Sequence, residues 1–95
     1  MESPEQWIGD VMMLMYGIQF ADDPLDGGVD HAMTSVIRRR PDVAPPDRYL
    51  ASIRAALASQ LSLSGLLPQK HSEEVIRSYL SALERRLATD IEEKR

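Results

Sequence analysis

Ninety-five residues make one small domain with a single modest core, and the absence of cysteine excludes disulfides and thiolate metal sites. The net charge is −4, and it is unevenly spread. Residues 1 to 37 carry Glu2, Glu5, Asp10, Asp22, Asp23, Asp26 and Asp30 with no Lys or Arg, while residues 38 to 95 hold all 11 basic residues against 8 acidic ones. An acid-only segment repels nucleic acid and attracts basic proteins.

The first element is predicted to open at Ser3 and Pro4, which suit the N-cap and first helical position, with Gln6 at capping-box spacing. It should run to about Ile18, weakened by Gly17. From Val11 to Tyr16 no residue is polar. A helix so apolar is either buried all round or leaves a strip for a partner. It is too short, and too interrupted by Gly9, Asp10 and Gly17, to span a bilayer. The loop ADDPLDGG follows over residues 21 to 28. Val29, Ala32, Met33, Val36 and Ile37 then recur at helical spacing, and Arg38, Arg39 and Arg40 suit the negative end of that helix.

PDVAPPD, residues 41 to 47, forbids continuous helix. A third helix is predicted from Pro46, with its stripe at Tyr49, Leu50, Ile53, Ala56, Leu57 and Leu61. Gly65 and Pro68 set turns in the next connection, where Leu63, Leu66 and Leu67 form an apolar plug. Ser72 is expected to cap a long last helix, aided by Glu73 and Glu74. Its stripe is Val75, Ile76, Tyr79, Leu80, Leu83, Leu87 and Ile91. The fold class expected is all-α, a small bundle of four helices over residues 1 to 95.

Few residues offer chemistry. Asp22 to Gly27 begins like a calcium loop, with an acid first and Gly sixth, but Pro24 stands third and Met33 twelfth, where a bidentate Glu is needed. His31 follows Asp30, yet neighbours on a helix point about 100° apart and share no face. His71 is the only other histidine, and no nucleophile elbow or phosphate-binding glycine loop is present. No enzyme, cofactor or metal site is expected. Arg38 to Arg40 beside an acidic segment make a poor footprint for DNA, and PDVAPPD is too long for a helix-turn-helix. Met12, Met13, Met15 and Met33 suit core filling or an adaptable groove, and some of Met13, Tyr16 and Phe20 should be exposed.

The segment SLSGLLPQKHSEEVIRSYLSALERRL, residues 62 to 87, following an Ala-rich helix, resembles small bacterial immunity proteins that accompany contact-dependent growth-inhibition toxins. The resemblance covers residues 49 to 87 and brings no functional residues with it. It implies a protein that binds and neutralises one toxin domain, often a nuclease. A nuclease needs a basic cleft, which an acidic protein can fill. The contact residues expected are Asp22, Asp23, Asp26 and Asp30, flanked by Tyr16 and Phe20. The polar N-terminus MESPEQ is unlike a secretory signal, and the chain ends in the charged run IEEKR, so a cytoplasmic monomer or weak dimer is expected, with no nucleic acid or membrane partner. A DNA-binding regulator and a self-associating helical adaptor are the alternatives.

Overall fold

A computed structural model describes residues 6–16, 18, 25, 27–37, 45–60, 62–66 and 70–93. Among them are four α-helices and no strand, so the chain is an all-α bundle. The helices are α1 (Gln6–Tyr16), α2 (Gly28–Ala32), α3 (Pro46–Ala58) and α4 (Glu73–Glu93). The body measures 36 × 34 × 19 Å. Its short dimension is that of two helices, each about 10 Å across with side chains, laid one on the other. In a slab two helices thick, each helix keeps one side open to solvent.

Each helix forms and stops for local reasons. The predicted cap at Ser3 and Pro4 lies outside the described residues. α1 ends at Tyr16, short of the predicted Ile18, because the chain tightens there: the Ile18 N–H bonds to the Met15 carbonyl at 3.1 Å. Before α2, Gly27 has φ +86°, a left-handed conformation that glycine adopts without steric cost. α2 runs straight into a wider π-helical stretch, Met33–Ile37. At that step the Thr34 hydroxyl donates to the Asp30 carbonyl at 2.9 Å, a side-chain competitor for the backbone ladder.

α3 starts at Pro46 as the prolines require, and stops at Ala58 rather than near Leu61. Ser59 causes the stop. Its backbone is extended, and both its N–H (3.1 Å) and its hydroxyl (2.7 Å) donate to the Ala56 carbonyl. A short 3₁₀ turn, Leu63–Gly65, carries the buried Leu63. Ser72 caps α4 as predicted, accepting from the Val75 N–H at 3.3 Å, while its carbonyl accepts from Ile76.

α1 packs on α3, α3 on α4, and α2 on α4. The core is one cluster. Val11, Leu14, Met15 and Ile18 from the first element meet Ala32, Met33 and Ile37, then Ile53 and Ala56, then Ile76, Tyr79, Leu80, Leu83 and Leu87 of α4. Of the predicted α4 stripe, Ile76, Tyr79, Leu80, Leu83 and Leu87 are buried and Ile91 packs against them, while Val75 at its start is only half-buried. No helix among the described residues is long and apolar enough to cross a membrane.

Candidate functional site

α1 buries one side and exposes the other. At 100° per residue, Gly9, Met13 and Tyr16 fall within about 60° of each other. All three are exposed, Met13 at 53% and Tyr16 at 55% of their full surface. Ile8 and Met12 edge the strip, half-buried. Of the two outcomes open to so apolar a helix, the described part of α1 therefore takes the second and leaves a strip in solvent. The strip carries no charge. The acid within α1, Asp10, lies on a different face and is only 8% exposed.

Asp10 is the buried charge of the described structure. Arg48 donates to it twice, from Nε at 3.0 Å and Nη2 at 3.1 Å, and the Ser52 hydroxyl donates at 2.7 Å. A two-pronged arginine with a hydroxyl satisfies a carboxylate about as well as a protein can. The hydrogen bond to Asp10, and then the charge of that carboxylate, push the Arg48 guanidinium up from its usual range. Burial raises the neighbouring Tyr49 phenol, with Asp10 adding to the effect. This network pins α1 to α3 along the flank of the helix, beside the exposed strip.

The far end of α1 is pinned by α4. The buried Tyr79 hydroxyl donates to the Leu14 carbonyl at 3.1 Å, satisfying a helix-end acceptor. Burial pushes the Tyr79 phenol well up from its ordinary value. His71 Nε2 stands 2.9 Å from the Ile18 carbonyl; since a carbonyl only accepts, Nε2 carries the proton there. His71 is thus a tie between the turn after α1 and the start of α4.

Glu73 makes the densest polar cluster. It accepts from the backbone N–H groups of Leu63 (3.1 Å) and Ser64 (2.9 Å), and from Arg77 Nε at 2.8 Å. Arg77 in turn donates to the carbonyls of Leu57 (3.2 Å) and Ser59 (3.1 Å). Burial alone would push the Glu73 carboxyl up. The N–H groups of Ser64 and Leu63, then Arg77 and the Ser64 hydroxyl, outweigh it and lower the pKa to about 2. Glu73 and Arg77 line a shallow groove on α4 with Ser78, Ser81 and Arg85, rimmed by Leu25 of the acidic loop. With Glu74 also on its wall, the groove holds two acids and two arginines and so no dominant charge.

The residues expected to touch a partner fall in different places. Tyr16 is exposed on the α1 strip. Asp30 is exposed too, but its Oδ1 pairs with Arg86 Nη1 of α4 at 2.8 Å, so it is not the uncompensated charge its local sequence suggests. Asp22, Asp23, Asp26 and Phe20 lie outside the described residues, as do Arg38, Arg39 and Arg40. Sequence reasoning passed over Gly9, whose only local sign was a glycine inside an apolar helix. It also passed over the Asp10 network, whose partners lie 38 and 42 residues away. Among the described residues no three His, Asp or Glu side chains gather as metal ligands. Compared with protein-family models, with curated proteins and with solved structures, the chain matches none.

Proposed function

We propose that this protein acts by binding and without catalysis, as an immunity-type inhibitor that neutralises a basic toxin domain of the nuclease kind in the cytoplasm. One observation carries the reading: seven acidic residues and no basic one in the first 37 positions. Asp10 is consumed by the fold. The others, Glu2, Glu5, Asp22, Asp23, Asp26 and the exposed Asp30, are the charges a basic partner would meet. The pairing of Asp30 with Arg86 does not remove it, because an ion pair between two solvent-exposed side chains is worth only about 0–1 kcal/mol and exchanges easily. Charge speeds encounter, and an aromatic anchor such as Tyr16 holds the complex once formed.

Co-expression with the product of the neighbouring upstream gene tests the reading. A stable complex together with rescue from that product's toxicity is the expected result. In the same complex, replacing Asp22, Asp23 and Asp26 together by Asn should slow association and flatten its salt dependence. An unchanged on-rate takes these three aspartates out of the interface.

A further inference from the structure

The position that the fold leaves unexplained is Gly9. A glycine inside a helix costs about 0.5–1 kcal/mol against alanine. Helical glycines commonly repay this by letting a neighbour in the same molecule come close. Among the described residues Gly9 has no such neighbour: a Cβ placed there meets none of their atoms within 4 Å. Its backbone is ordinary helix, so no left-handed conformation demands glycine either. What the missing side chain does provide is a notch in the exposed apolar strip, with Met13 and Tyr16 standing beside it.

A notch between apolar knobs on a helix is the shape onto which another helix packs closely. Two occupants suit it, a second copy of this chain or a helix of a partner, and charge decides between them. The strip itself is uncharged, but the chain on either side of α1 is acidic, with Glu2 and Glu5 before it and Asp22, Asp23 and Asp26 after it. Two copies of the chain carry the same acidic sequence on both sides of α1, and like charge opposes their pairing. A helix that is apolar in the middle and basic at both ends has the opposite pattern. From Gly9 to Tyr16 there are seven helical steps, about 10 Å of helix axis, so two turns of the partner would cover the strip.

We infer that the outer face of α1, centred on the Gly9 notch, is a docking surface for an amphipathic helix of the partner whose apolar middle is flanked by basic residues. This rests on the proposed binding of a basic protein and adds where, and by which kind of element, the partner is held.

Gly9 also supplies a test in which the fold is left intact. Because a side chain there meets nothing among the described residues, Gly9→Ala should raise Tm by about 2–8 °C through helix propensity. Gly9→Leu should leave Tm at or above that of the wild type and fill the notch. The probe is a dye-labelled synthetic helical peptide of about 20 residues, with leucines along one face of its middle turns and arginines at both ends. One control scrambles the leucines around the helix; another replaces the arginines by glutamates. Fluorescence anisotropy at fixed salt should show the designed peptide binding the wild type at least about tenfold tighter than either control, a gap of 1.4 kcal/mol. Gly9→Leu should abolish that tenfold.

Equal binding of the scrambled peptide, with no effect of Gly9→Leu, overturns the docking surface but leaves a basic partner standing. Equal binding of the glutamate peptide overturns the basic flanks. If neither arginine peptide binds, the docking surface and the basic-partner reading fall together. A wild-type dimer in sedimentation that Gly9→Leu dissociates gives the strip to a second copy and overturns the inference.

Discussion

The start of α4 and the outer face of α1 treat their residues in opposite ways. Around Glu73 the polar side chains named above are turned to internal use. One carboxylate holds a turn, one arginine holds the carbonyls at the end of α3, and Ser72 caps the helix. On the outer face of α1, Gly9, Met13 and Tyr16 stand in solvent, and the glycine weakens the helix that bears it. Stability is concentrated in the first region, and the second has been left free of that duty. In small domains such a surface is where selection for something other than folding shows.

The sharpest way to break this contrast is a pair of truncations. Leu83 is fully buried on α4, so Leu83→Ala should lose about 2–5 kcal/mol, a large part of the roughly 5–14 kcal/mol a domain of this length commands. Met13→Ala on α1 removes a side chain of similar size and should change stability by no more than about 0.5 kcal/mol. Urea denaturation of both variants measures the difference. If Met13→Ala costs as much as Leu83→Ala, the strip is part of the core and the contrast fails.

The Asp10 flank of α1 should behave like α4 rather than like the strip. Ser52→Ala removes a buried hydroxyl that donates to the Asp10 carboxylate at 2.7 Å. A hydrogen bond to a charged group contributes about 1.5–3 kcal/mol, so the midpoint in urea should fall accordingly. Asp10→Asn should cost more than Asp30→Asn, since the first leaves Arg48 and Ser52 facing a neutral amide in a buried site.

The apolar stripes of α3 and α4, the start at Pro46 and the Ser72 cap were legible because each is written within a few turns of chain. The cross-chain ties were not. Glu73 reads locally as a helix-start acid, but its main acceptor role is toward N–H groups nine and ten residues earlier, in the separate 3₁₀ turn Leu63–Gly65. Arg86 reads as a solvent-facing residue outside the α4 stripe, yet it meets Asp30. Charge counted along the sequence therefore overstated how exposed the acidic third is: both of its described acids have arginine partners from the rear half. Side-chain periodicity reports on a helix's own face and says nothing about which distant charge closes over it.

Glu73 sharpens the contrast through pH. Its folded-state pKa, about 2, lies below the ordinary 4.5. A depressed carboxyl contributes stability that is complete above its unfolded pKa and is lost as pH falls through the folded one. Stability should therefore fall between about pH 4.5 and 2, and in Glu73→Gln this part of the acid limb should be missing. The side chain is about a third exposed, which screens the effect and places it below the core truncations. The measurement is urea stability of wild type and variant at matched pH values. Parallel curves across that window would show that the Glu73 cluster is not held as its geometry indicates.

The smallest effect on folding belongs to the pair that links the two regions, Asp30 and Arg86. Both side chains are more than half exposed, so their 2.8 Å contact should be worth well under about 1 kcal/mol, and Asp30→Asn and Arg86→Ala should unfold nearly with the wild type. Their effects on binding should differ in sign. Asp30→Asn removes a charge that a basic partner would use, and should slow association. Arg86→Ala removes the cation that competes for Asp30, makes the acidic side more negative by one unit, and should speed it. Stopped-flow association at low and moderate salt reads both, with the difference shrinking as salt rises because the charges are exposed. If both substitutions slow association alike, the pair itself shapes the surface the partner reads. If neither changes it, Asp30 stands outside the interface, and recognition must come from the acids on either side of α1 and from the strip around Gly9.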